Sequence, residues 1–250
     1  MRGIGALILL AAACDLARAE PVPLPRPRPM PSAAEQTAAP EQPPAPSACL
    51  LKLAAGLAVA SALPALSGPG GCGGDDVVRL EAIVLADKSQ IAITPPATVR
   101  CSFAEGFAHW VRDEVAPSVR TRGSPLKGID NYASYECRGR NRVAGAKLSE
   151  HGKANALDMR SFKLASGKVV GLTDPHADKD FREALRKKTC GRFSTVLGPG
   201  SDGYHEDHVH VDLAERRGGY RMCQWDVREP APERPADVAV PLPRPRPAPG

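Results

Sequence analysis

The sequence predicts an α+β domain: an antiparallel sheet with flanking helices, stapled by disulfides. Three observations carry that prediction. A helical-period apolar stripe, Phe103, Phe107, Trp110, Val111 and Val115, is followed by short alternating segments that read as a hairpin and further strands. The order along the chain, helix, hairpin, helix, strands, places it in the α+β class with an antiparallel sheet. Six of the seven cysteines fall from Cys49 to Cys223, and that even set suits an exported, cross-linked domain.

Taken in order, the chain starts with a positive Met1-Arg2, an apolar run from Ile4 to Ala13 and small residues at Ala17-Arg18-Ala19. This is the pattern of an export signal over residues 1–19, and its apolar core is too short to span a bilayer. The same stretch admits a second reading, a lipoprotein signal ending at Cys14, although the usual leucine three positions earlier is missing. Residues 20–46 are rich in Pro and Ala and read as a disordered linker, and residues 227–250 as a Pro/Arg-rich tail. The octapeptide VPLPRPRP occurs at Val22–Pro29 and again at Val240–Pro247. Its alternate prolines fix φ and remove donors, so both copies should be extended, solvated spacers.

The folded unit is expected at residues 47–226. A second apolar run, Leu53 to Leu63, is too short for a membrane span and reads as a buried helix or strand. Ser102 with Glu105 forms the S-x-x-E pattern that opens a helix, and Pro117 should end it. His109 beside the apolar stripe reads as structural. Ala156–Leu164 and Lys168–Leu172 read as a hairpin through Ala165-Ser166-Gly167, Asp178–Lys188 as a helix with Phe181 and Leu185 inward, and Phe193–Leu197 and His208–Leu213 as strands. Loss of Cys14 with the signal leaves an even set, and pairing in chain order gives Cys49–Cys72, Cys101–Cys137 and Cys190–Cys223. No C-x-x-C spacing supports a cysteine-zinc site instead.

The formal charge of +5 is modest, and aromatics make up only 4% of the chain. No basic run is interleaved with aromatics as a base-stacking surface requires, which argues against nucleic-acid binding.

Four of the six histidines lie in two windows, LSEHGKANALDMR (Leu148–Arg160) and GYHEDHVHVDL (Gly203–Leu213). On a strand, alternate side chains share a face, so His208, His210 and Asp212 point one way and Val209, Val211 and Leu213 the other. A catalytic zinc takes three protein ligands, and His151, Asp158 and His210 supply two nitrogens and one oxygen. Small residues at Gly152, Ala154 and Ala156 let the backbone pass close to such an ion. Tyr204 and His205 read as exposed loop residues, with substrate binding as the second reading, and Asp212 as a group that could orient a ligand histidine.

Ser149 through Asp158 resembles the S-x-H-x-x-G-x-A-x-D motif of zinc D-Ala-D-Ala peptidases, with Ala154 at the motif's glycine. Asp207-His208-Val209-His210 resembles their closing motif and the H-x-H of lysostaphin-like enzymes. SYECR, SEHGKANALDMRSF, VLGPGSDGYHEDHVHVDLAERR and the cysteine pattern resemble the extensin-like C-terminal domain family across nearly all of residues 47–226. The resemblance implies a hedgehog/D-Ala-D-Ala peptidase-like fold, a Zn2+ cofactor and action on peptidoglycan or its stem peptides. Together with the export signal, this places the expected protein in the periplasm or cell envelope, not transmembrane once the signal is removed. His151, Asp158 and His210 map to the ligands, Asp207 to the general base and His208 to an additional active-site histidine. Arg138 maps to an arginine for the substrate carbonyl or carboxylate, with Arg140 and Arg142 close by. Because Asp207 and His210 are three apart, the base role requires a turn before His208, and Glu206 is the alternative. The cleavage type, D,D-carboxypeptidase or endopeptidase, stays open. The competing reading is a catalytically silent zinc-containing domain that binds cell wall.

Overall fold

Ser47 opens the folded part of the chain by capping a helix. Its hydroxyl accepts the Leu50 N–H at 3.0 Å, satisfying a first-turn donor of α1, Ala48–Ala54. The computed structural model describes residues 45–231, so the export signal, Cys14, both VPLPRPRP copies and nearly all of the linker and tail lie outside it. The apolar run from Leu53 to Leu63 becomes two elements rather than one. Gly56, at φ 107, turns the chain after α1, and Ala58–Ala62 continues as strand β1.

A small ladder of β2 (Leu66–Gly68) and β3 (Cys72–Gly74) stands apart from the main sheet. The main sheet comprises β1, β4 (Val77–Val84), β5 (Gln90–Arg100), β6 (Leu126–Ala133), β7 (Ala156–Leu164), β8 (Val169–Gly171), β9 (Thr195–Leu197), β10 (Val209–Asp212) and β11 (Met222–Gln224). Its order is β1-β4-β5-β6-β7-β10-β9-β11, and β8 pairs beside β7. The expected all-antiparallel sheet is corrected to a mixed one. β5 and β6 run parallel because a helical crossover joins them, and β11 runs parallel to β9.

That crossover is α2 (Cys101–Trp110), a wider π-type turn (Val111–Val115) and α3 (Ala116–Arg120). Two helix-boundary expectations fail here. The Cys101 N–H is taken by the Asp76 carbonyl at 2.8 Å, so the helix starts at Cys101 and Ser102 lies inside the first turn rather than capping it. Pro117 does not end the helix. The wider turn precedes it, and the Glu114 carbonyl is taken by the Ser118 hydroxyl at 2.7 Å and by Lys188 Nζ at 3.3 Å. The last helix, α4 (Lys179–Arg192), is capped by Asp178, whose carboxylate accepts the Phe181 N–H at 2.7 Å. It runs past the expected end at Lys188.

Phe103, Phe107, Trp110, Val111 and Val115 are all buried, as their spacing predicts, and pack around Phe193. They share one core with Leu157 and Met159 of β7 and Val209 and Val211 of β10. The intervening side chains of β7 and β10 therefore project from the opposite face of the sheet. His109 sits outside this core, half-exposed and facing Asp113 at 3.4 Å.

Two of the three expected disulfides are corrected. Cys49 of α1 meets Cys101 at the start of α2, because the two helices pack together, and Cys72 of β3 meets Cys137. Pairing in chain order failed because the chain between Cys72 and Cys101 is taken up by the long β4–β5 hairpin. Cys190–Cys223 is as expected, since β11 returns beside the end of α4.

Candidate metal centre

Strand register builds the centre. Asp158 of β7 lies directly across from His210 of β10, and their side chains share the sheet face turned away from the helical core. His151 comes from a short helical turn, His151–Lys153, just before β7. That turn ends in a left-handed residue, Ala154 at φ 53, ψ 31. Ala154 occupies the position where the resembling motif has glycine, and its backbone conformation explains why glycine suits it.

The three predicted ligands converge. His210 Nδ1 is 2.8 Å from Asp158 Oδ1, His151 Nε2 is 3.1 Å from the same oxygen, and the two histidine nitrogens are 3.0 Å apart. All three residues are buried. Four tetrahedral zinc ligands stand about 3.3 Å apart when the bonds are about 2.0 Å, so these separations are a slightly contracted version of such a site.

The outer nitrogens are fixed as well. His151 Nδ1–H donates to the Ser134 carbonyl at 2.6 Å, and His210 Nε2–H donates to Asp212 Oδ2 at 3.1 Å. Each ring thereby turns its other nitrogen towards the shared centre, the arrangement that orients ligating histidines. Without a cation, three lone pairs would face one another across hydrogen-bond distance. Burial disfavours the His210 imidazolium, but hydrogen bonds to Asp158 and Asp212 outweigh it and push the pKa up to about 9. Burial works against the Asp158 charge too, and the two histidines nonetheless hold its carboxyl well below the usual range. The group is thus a proton- or cation-dependent cluster, and the described residues contain no other such group except a disulfide pair beside Asp76.

His208 lies just ahead of β10. Its Nε2 faces Asp158 Oδ2 at 3.6 Å, while its Nδ1–H donates to Asp207 Oδ1 at 2.8 Å. Asp207 therefore contacts the His208 ring at the nitrogen turned away from Asp158. Its other oxygen accepts from Arg160 at 2.8 Å, and Arg160 lies over the Tyr132 ring at 3.6 Å. The His208 hydrogen bond leads, with Arg160 adding to it, in holding the Asp207 carboxyl below its ordinary value. The chain bends before His208, but the Asp207 side chain is exposed and lies outside the lining of the ligand cleft. Glu206 instead accepts from the Gly200 N–H at 3.0 Å and pairs with Arg228 at 2.7 Å.

His151, Asp158, His208 and His210 line a cleft of about 530 Å3 together with Arg138, Arg140, Arg142 and Arg216, while Asp207, Arg160 and Glu206 lie outside its lining. Arg138 and Arg142 both pair with Glu136, at 2.9 and 2.6 Å. Arg140 and Arg216 have no ion-pair partner among the described residues, and the cleft lining also carries the carboxylates of Glu150, Asp158, Asp202 and Asp212. Tyr204 is exposed as expected, but His205 is buried rather than exposed. Its Nδ1–H donates to Asp202 Oδ1 at 2.7 Å, and its ring lies 5.6 Å from that of His210. Burial leads in lowering the His205 pKa, and Asp202 offsets only part of that effect.

Sequence reasoning missed Ser134, Tyr132, Arg160, Thr195 and Arg216. Ser134 acts through its carbonyl, which no side-chain pattern reveals. Tyr132 and Thr195 lie outside both histidine windows, Arg216 falls just past the second, and Arg160 closes the first without any local pattern that ties it to Asp207.

No curated protein and no solved structure matches the chain. A family model described as extensin-like protein C-terminus matches residues 47–224, from the Ser47 cap of α1 to the last residue of β11. That match takes in every strand and helix of the domain and all of the converging ligands, and the chain belongs to the extensin-like protein C-terminus family.

Proposed function

We propose that this chain is an exported zinc-dependent peptidase that cleaves peptidoglycan peptides, of the D,D-carboxypeptidase or endopeptidase type. The observation that carries the reading is the convergence of His151 Nε2, Asp158 Oδ1 and His210 Nδ1 within 3.1 Å of one another. Two imidazoles and a carboxylate form a borderline donor set suited to zinc. The motifs resemble those of the zinc D-Ala-D-Ala peptidases, and that resemblance supports a related fold. Three disulfides suit an oxidising compartment, and no described helix is long and apolar enough to cross a membrane.

A bound zinc would act as a Lewis acid and lower the pKa of an attacking water towards about 7. The chain's own residues would then handle the proton and the substrate. Asp207 accepts from His208 Nδ1–H, which leaves Nε2 as the acceptor on the cleft side. His208 Nε2 is accordingly the atom that takes the proton, so the base role moves from the expected Asp207 to this ring, and Asp207 orients it. Later the same nitrogen returns the proton to the leaving amine. Arg138 supplies positive charge to the substrate carbonyl or carboxylate, and Arg140 lies in the same cleft.

The test is a digest of purified muropeptides by zinc-loaded protein, read by mass spectrometry for released D-Ala or split dimers. His208→Ala should cost about 100-fold or more in rate while zinc stays bound. Asp207→Asn should lose activity in the same direction. A zinc-loaded wild type that leaves every muropeptide intact but is retained on sacculi would replace the hydrolase with the wall-binding reading.

A further inference from the structure

Behind His210 lies a chain of polar contacts that the mechanism above does not use. Asp212 of β10 is directly across from Thr195 of β9, in the same ladder that places His210 across from Leu197. Thr195 Oγ1 is 2.6 Å from Asp212 Oδ1, and Arg216 Nη2 is 2.5 Å from Thr195 Oγ1. Arg216 Nη1 also donates to the Ser194 carbonyl at 2.8 Å, and the Ala214 N–H donates to Asp212 Oδ1 at 3.0 Å. Thr195 and Asp212 are buried at the wall of the cleft, which strengthens these bonds over the same bonds in bulk water.

The proton directions in this chain follow from chemistry alone. A guanidinium can only donate, so the Thr195 oxygen accepts from Arg216 and must pass its own proton on to Asp212. Asp212 Oδ1 is then filled by Thr195 and the Ala214 N–H, and Oδ2 is left to accept from His210 Nε2–H. With Nε2 committed as a donor, Nδ1 is the nitrogen that faces Asp158 and His151. We propose that Thr195 and Arg216 are positioning residues that fix the ligating face of His210 through this one-way chain, and so set the affinity of the site for a divalent cation. The proposal rests on His151, Asp158 and His210 forming a metal site, but not on any peptidase activity. Thr195→Val would keep the shape of the side chain while removing the relay, leaving the Ala214 N–H as the one remaining hydrogen bond to Asp212 Oδ1 and loosening the hold on His210.

The probe is Zn2+ alone, titrated into the full folded chain in competition with a chromophoric chelator. Co2+ absorption reports the ligand geometry. Thr195→Val should weaken zinc binding by about 10- to 100-fold and alter the Co2+ spectrum. Thr195→Ser, which keeps the hydroxyl, should stay within about threefold of wild type and keep the wild-type spectrum. Arg216→Met should weaken binding in the same direction, and adding it to Thr195→Val should have little further effect. Wild-type affinity in Thr195→Val, or a loss in that variant that Thr195→Ser does not restore, would overturn the relay. If Thr195→Val does not fold, unchanged affinity in Arg216→Met overturns it instead. A wild-type chain that binds no zinc would overturn the metal site itself, a separate result from failure of the relay alone.

Discussion

Acidification should strip the metal from this protein before it unfolds the domain, and the size of the effect follows from the surroundings of His210. In the metal-free protein two carboxylates flank its ring, Asp158 Oδ1 at 2.8 Å from Nδ1 and Asp212 Oδ2 at 3.1 Å from Nε2. Burial opposes the charged ring, yet these hydrogen bonds raise its pKa from 6.5 to about 9. The sign is then fixed. Below about 9 His210 holds a proton on Nδ1, the nitrogen that must face the ion, and that proton has to leave before a cation can be seated. Each pH unit below that value therefore weakens binding about tenfold, or about 1.4 kcal/mol. Between pH about 8 and about 6 the Zn2+ dissociation constant should rise at least about 100-fold, or about 2.7 kcal/mol. Chelator competition at fixed ionic strength measures this directly. Asp212→Asn removes one of the two flanking charges, so the pH at which affinity levels off should fall. Affinity that is flat over this range, or that improves in acid, would refute the assignment of His210 Nδ1 as a ligand.

Two further predictions concern how the site is held. Ala154 is buried at φ 53, where an L side chain costs roughly 1–2 kcal/mol and glycine costs entropy of roughly 0.5–1. Ala154→Gly should therefore raise stability by up to about 1 kcal/mol in denaturant melts, and a clear loss would contradict the strain argument. The Cys72–Cys137 bridge closes a separation of 65 residues and tethers the segment that carries Arg138. Replacing both cysteines with serine should cost about 4 kcal/mol of stability and reduce turnover, and an unchanged unfolding midpoint would contradict it.

The sequence made the ligand set legible because two motifs encode it locally. A short turn presents His151, and period-2 alternation aims His210 and Asp212 together. The hairpin through Ala165-Ser166-Gly167 and the helix after Asp178 were legible for the same reason, since turn and cap chemistry act over a few residues. Strands β4 and β5 were not assigned, because Pro95 and Pro96 fall inside β5 and conceal its pattern. Pairing jumps there from Leu80↔Ala97 to Ala82↔Ala92, so the prolines sit where β4 makes no ladder contact. The parallel pairing of β5 and β6 depends on the crossover helix continuing past Pro117, which the local proline signal denied. Disulfide partners and the Arg216–Thr195–Asp212 chain are set by which strands lie side by side. Spacing along the sequence carries no information about that. His205 lies in a loop as its polar neighbours suggest, yet it is buried, because its ring packs against those of His208 and His210 and its Nδ1–H meets Asp202, contacts that local polarity does not encode.

The claim beneath all of this is that His151, Asp158 and His210 hold one cation, and elemental analysis tests it most directly. Intact chain refolded with zinc and freed of excess should carry about one zinc per molecule, and His151→Ala and Asp158→Ala should carry far less. Equal metal in wild type and both variants, or none in the wild type, would contradict the account.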